Sequence, residues 1–170
     1  MRLLRYLDRV SDALAFCSAL LIVPLVLAMI YEVFMRYVLN APTVWAFELS
    51  YMMMGAIFVF GIAYTLKVGD HVNVDFIHGS LGPKAKAALD LIGFAVSLPA
   101  VVWLSWAFWN YTLRAYASGG TSGLSSWNPV VWPFRAILFV GFTSLALQMI
   151  LEMAKRAMVL AGRAPAQAER

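Results

Sequence analysis

The chain has 170 residues, 62% of them hydrophobic and only 13% charged, with a net charge of +4. An average soluble domain carries about 25% charged residues, and a chain of this size has no soluble core able to hide so much apolar side chain, so the composition argues against a water-soluble domain and for the bilayer as solvent. Its basic excess sits beside apolar runs and reads as membrane topology rather than nucleic-acid binding.

Residues 1–10 form a basic amphipathic lead-in, with Arg2, Arg5 and Arg9 set among Leu3, Leu4, Leu7 and Val10 at helical spacing, and are expected to lie at the membrane surface. No small-residue cleavage site follows a short apolar core, which argues against a signal peptide. Ala13 to Tyr31 is free of charge for 19 residues. About 20 are needed to cross ~30 Å of hydrocarbon, so the first span is placed at 11–38, with a modest kink at Pro24. Asn40-Ala-Pro42 breaks the helix. The uncharged run Leu49 to Leu66, headed by Trp45 and Glu48, makes the second span at 43–67.

The polar stretch Tyr64 to Asp75 then joins two hairpins. Gly69 is expected to end the second helix, because glycine takes positive φ without steric cost. The alternation of His71, Asn73 and Asp75 with Val72 and Val74 suggests an extended or interfacial segment. Leu91 to Leu113 carries no charge for 23 residues, giving a third span at 86–115 that must tilt or protrude. Residues 115–128 read as a Gly/Ser-rich loop. Pro129 is expected to open the fourth span at 130–158, with Arg135 snorkelling outward from its first turn and Trp127 and Trp132 in the interfacial aromatic belt. Glu152, Lys155, Arg156 and Arg163 close the helix in a mixed-charge tail, and 163–170 are expected to be disordered. Arg2, Arg5, Arg9, Lys67, Lys84, Lys86, Lys155, Arg156, Arg163 and Arg170 fall on one side, against Arg36, Arg114 and Arg135 on the other. The positive-inside rule therefore puts both termini in the cytoplasm. The expected fold is an all-α integral membrane protein of four transmembrane helices arranged as two antiparallel hairpins.

Few residues suggest chemistry. Cys17 is the only cysteine, so no intrachain disulfide and no cysteine pair is available. His71 and His78 share one loop, whereas haem held between membrane helices needs ligands from facing helices, so both read as interfacial polar residues. No cofactor or metal site is expected. Glu32, Arg36 and Glu48 differ, because charges near apolar spans are costly and usually face protein or water. Arg36 and Glu48 each lie about one turn from the break at Asn40-Pro42 and are expected to pair there, with Glu32 as a second partner for Arg36. The pair reads either as a headgroup anchor or as a docking feature for another subunit.

The ordered set of short motifs resembles the small membrane subunit of TRAP (tripartite ATP-independent periplasmic) transporters of the DctQ type. The matching residues are Arg36-Tyr37 with Asn40, Trp45 with Glu48, Gly69-x-His71-Val-x-Val-Asp75, Ser125-Ser-Trp127-Asn-Pro129 with Trp132-Pro133, then Gly141-Phe142 and Gln148. The resemblance implies a non-enzymatic subunit in the bacterial inner membrane. It would pair with a large DctM-like membrane subunit that holds the sodium and substrate sites, and with a periplasmic solute-binding protein delivering an organic acid or related solute. Its role would be to scaffold the large subunit and help dock the binding protein. A self-sufficient four-helix transporter would want a carboxylate deep in a span. A respiratory anchor would want two His on different spans.

Overall fold

The computed structural model describes residues 2–68 and 82–161, which form four long helices: α1 (Arg2–Tyr37), α2 (Ala46–Val68), α3 (Pro83–Ser118) and α4 (Trp132–Leu160). All four are long and apolar enough to cross a membrane, over Arg9–Tyr37, Ala46–Val68, Ala85–Ser118 and Trp132–Met158. The lead-in expected along the surface is not a separate element. Nothing between Arg2 and Pro24 breaks a helix, and residues 2–10 continue into α1 without interruption. Pro24 also lies within α1.

α3 begins at Pro83, which suits a first turn because its missing N–H would have no partner there. Its 36 residues make it about 54 Å long at 1.5 Å per residue, well beyond the hydrocarbon thickness. It runs three residues past the expected end at 115, through Ser118, and stops at the first glycine able to reverse the chain. Gly119 adopts φ 61°, and the Gly120 amide donates to the Ala115 carbonyl at 3.0 Å. α4 opens at Trp132, with Pro133 in its first turn. Pro129, expected to open that helix, lies in the preceding loop and accepts a hydrogen bond from the Ser122 amide at 3.0 Å.

α1 and α2 form one antiparallel hairpin, marked along its length by Lys67–Asp12, by Ser18 donating to the Ile57 carbonyl at 2.8 Å, and by Ser50 beside Met29 at 3.1 Å. α3 and α4 form the second, with Asp90 facing Arg156, Ser105 hydrogen-bonded to Thr143 at 3.1 Å, and Tyr116 against Trp132. The hairpins join through α2 and α4, which run parallel. At that seam a Cβ on Gly141 would lie 1.7 Å from Val59 Cγ1, and one on Gly55 would lie 2.9 Å from the Phe134 ring. Small residues let helix backbones approach where lipid supplies no hydrophobic driving force. Ala63, Leu66, Leu145 and Met149 form the core at this seam, with Phe94, Leu98 and Phe142 packed on it.

Candidate functional site

The described charged side chains gather at the two ends of the bundle. One end, here the loop end, carries the α1–α2 turn and the α3–α4 loop; the other, the terminal end, is where α1 starts and α4 finishes.

At the loop end Glu32 organises the α1–α2 turn. It is buried in the last turns of α1 and accepts from Arg36 Nε at 2.8 Å and from Arg36 Nη2. Its second oxygen accepts from the Thr43 amide at 2.9 Å and from Thr43 Oγ1. One carboxylate thus ties the end of α1 to the far side of the turn. Asn40 takes φ 50°, a left-handed conformation that asparagine tolerates better than most residues. Trp45 stacks on Tyr31 with ring centroids 5.9 Å apart.

The expected pairing of Arg36 with Glu48 is not formed. Arg36 already has a carboxylate one turn earlier on its own helix, which needs no reach between helices. Its side chain is half exposed, whereas Glu48 is 0% exposed and neither of its carboxylate oxygens has a hydrogen-bond partner among the described residues. Glu48 occupies the first turn of α2, where the positive end of the helix dipole favours a carboxylate.

The α3–α4 loop is folded rather than open. Thr121 and Val130 form an isolated antiparallel bridge, closed by Ser122 N–H to the Pro129 carbonyl and Val131 N–H to the Gly120 carbonyl. Within it the Asn128 side chain accepts from the Gly123 amide at 2.8 Å, and Ser125 Oγ accepts from the Trp127 amide at 3.1 Å. Gly123 at φ 66° and Asn128 at φ 45° supply the left-handed positions this short turn requires. Leu124 and Trp127 are left exposed. Arg135 does more than snorkel: its guanidinium sits 5.7 Å over the Tyr111 ring and donates to the Tyr111 carbonyl at 3.3 Å.

At the terminal end a polar clasp reaches all four helices. Ser11 of α1 donates to Gln148 of α4 at 3.1 Å, and Gln148 donates to Glu152 at 3.3 Å. Lys155 lies 2.6 Å from the same Glu152 oxygen. Lys67 of α2 meets Asp12 of α1 at 2.5 Å, and Arg156 of α4 lies 3.2 Å from Asp90 of α3. Ser11 and Gln148 are each 1% exposed. The sequence places Glu152, Lys155 and Arg156 in a mixed-charge tail and does not reveal this clasp. Its one local signal was the spacing Gln148, Glu152, Lys155, which puts three polar residues on one helix face.

Of the residues singled out from the sequence, Glu32, Arg36, Asn40, Trp45, Glu48, Trp127, Pro129 and Pro133 all lie at the loop end. Gly69, His71 and Asp75 lie outside the described residues, as does His78. Trp103 and Trp106 of α3 are exposed, while Trp109 packs against Phe139 at 5.1 Å. Among the described residues no group of His, Cys, Asp and Glu is arranged to hold a metal ion.

Two comparisons with known proteins bear on these ends. The family model described as "Tripartite ATP-independent periplasmic transporters, DctQ component" matches residues 25–158. The sialic acid TRAP transporter small permease protein SiaQ of Vibrio cholerae serotype O1 (strain ATCC 39315 / El Tor Inaba N16961) is 30% identical over 126 residues, covering 69% of this chain and 72% of the relative. The family match takes in the Glu32–Glu48 turn, the α3–α4 loop, Gly141 and the Gln148–Glu152 pair.

Proposed function

The chain belongs to the DctQ family of TRAP transporter small permease components, and from that membership we propose that it scaffolds a large DctM-like membrane subunit and helps dock a periplasmic solute-binding protein for sodium-driven uptake. It is an inner-membrane transporter component and not an enzyme. Members of the family work with a large membrane subunit and a periplasmic binding protein. The transported solute is an organic acid or a related solute, a class that includes the sialic acid in the relative's name.

The observation that carries this reading is the gathering of Glu32, Arg36, Trp45, Glu48 and Trp127 at one end of a bundle in whose middle the described residues include no ionisable pair. Transport sites in coupled carriers lie near the bilayer midplane, at broken helices. Here the described charges lie toward the helix ends, and the four helices are continuous. Coupling and solute binding therefore fall to the large subunit. Vesicles holding this chain alone should show no sodium-driven solute uptake, and uptake should appear when the large subunit and the binding protein are added. Robust uptake by the isolated chain would refute the scaffold reading.

The distribution of Lys and Arg supports a loop end in the periplasm and a terminal end in the cytoplasm. Leu124, exposed at the tip of the α3–α4 loop, tests this. In a Cys17→Ala background, Leu124→Cys should react with a membrane-impermeant maleimide added outside intact spheroplasts. Reaction only in inside-out vesicles would reverse the orientation.

A further inference from the structure

We propose that Glu48 is the socket for a cationic side chain, an arginine or lysine, carried by a helix of the large membrane subunit that lies on the exposed face of α2. The inference rests on the proposed pairing with that subunit and names the chemistry of the contact.

The first observation is that Glu48 differs from every other carboxylate whose side chain is described. Asp12 faces Lys67, Glu32 faces Arg36, Asp90 faces Arg156, and Glu152 faces Lys155. Glu48 is the most deeply covered of them, at 0% exposure, and has no hydrogen-bond partner for either oxygen among the described residues. A buried carboxylate without a counter-charge is among the costliest groups a protein can carry. The N-terminal dipole of α2 offsets part of that cost, but a partial charge confined to the first turn does not replace a cation. The guanidiniums at this end are committed elsewhere: Arg36 holds Glu32, and Arg135 holds the Tyr111 carbonyl and ring. Arg114 is exposed on α3, which packs chiefly on α4.

The second observation is the surface beside it. Phe47, Tyr51, Met54 and Phe58 are exposed on α2 at spacings of four, three and four residues, forming one narrow stripe down its open face. Glu48 lies about 100° round the helix from that stripe, on the side that carries Gly55 and Val59 against α4. Tyr51, on the stripe, leans across the α2–α4 seam onto Phe134 at 5.5 Å. Tyr51 lies about one turn from Glu48 along α2, so the stripe and the carboxylate sit at the same end of the helix. A helix laid on the stripe with a basic residue near its loop-side end would place its ammonium or guanidinium there. Long basic side chains bury their stems along apolar surface and carry the charge to such a site.

The test is Glu48→Gln in the full chain, an isosteric change that removes the charge and keeps the shape. In the isolated subunit an unpaired charge is lost, so the melting temperature should hold or rise. Affinity for the large subunit, measured in nanodiscs, should fall at least about tenfold, as expected when one member of a buried pair is removed. Phe47→Ala with Phe58→Ala should weaken the same affinity while leaving the isolated chain folded. If the wild-type chain binds the large subunit and Glu48→Gln binds equally well, the socket is refuted while the pairing stands. If the wild-type chain does not bind at all, the pairing itself has failed. If sodium rather than choline raises the melting temperature of the isolated wild type but not of Glu48→Gln, the carboxylate holds an ion, and the side-chain socket is overturned. Unchanged affinity in the Phe47/Phe58 variant would assign the stripe to lipid and remove the proposed seat of the helix.

Discussion

Gly141→Ala is expected to destabilise the folded chain by about 3 kcal/mol, the upper part of the usual range for overpacking, and Gly141→Leu to prevent the two hairpins from docking. A Cβ at this position would sit 1.7 Å from Val59 Cγ1, 3.1 Å from Val59 Cβ and 3.0 Å from the Val59 carbonyl oxygen. Rotating the valine relieves only the first contact. A β-branched side chain on a helix has one strongly preferred rotamer, so even that movement is resisted. The carbonyl belongs to the α2 backbone and retreats only if the helices move apart. Separation would loosen the core of Ala63, Leu66, Leu145 and Met149 one to two turns further along the same seam. The check is a cycle in detergent micelles, with Gly141→Ala, Val59→Ala and the double variant followed by thermal melting and gel filtration. The double variant should recover most of the loss, because the closest clash is with the atom that Val59→Ala deletes. A Gly141→Ala protein that melts with the wild type would show that the helices do not approach so closely.

The second large effect is expected at the terminal end. Glu152→Leu should cost about 2–4 kcal/mol, since it removes an acceptor shared by buried Gln148 and by Lys155. The figure is set below that of a fully buried ion pair because Lys155 is 36% exposed and partly solvated. Gln148, at 1% exposure, would keep only the Ser11 hydroxyl. Glu152→Gln keeps an acceptor of the same shape and should cost less than about 1.5 kcal/mol, the net worth of an ordinary hydrogen bond. The ordering of these two variants in a thermal melt separates a satisfied polar network from a charge that merely faces solvent. A Glu152→Leu chain as stable as the wild type would mean that the clasp contributes no net stability, an outcome known when apolar side chains fill the place of buried charges.

These two positions show different relations to the sequence. Gly141 stood in the family motif, but nothing along the chain said what it packs against. Glu152 read as the start of a charged tail, because its two closest helical neighbours, Gln148 and Lys155, look like ordinary surface residues. Both acquire their roles from contacts between segments far apart in the chain. Glu48 is a third case. Spacing puts it just after the break, in the first turn of α2, but spacing along a helix does not say which way the next helix lies, so the direction of its side chain was not legible.

The sequence by itself determined that four helices form, roughly where each lies, and which family they belong to. Those features are one-dimensional: an apolar run either reaches across the hydrocarbon or does not, proline and glycine stop a helix locally, and a motif is a matter of order. Only the tertiary structure decided which charge takes which partner. Lys67 reaches Asp12 across 55 residues and Ser11 reaches Gln148 across 137, while Arg36 turns to Glu32 and leaves Glu48 without a counter-charge among the described residues. Inside a bilayer each polar group must find a partner within the protein, and which partner comes within reach depends on how the helices rotate and cross, set here by the close approach of Gly141 to Val59.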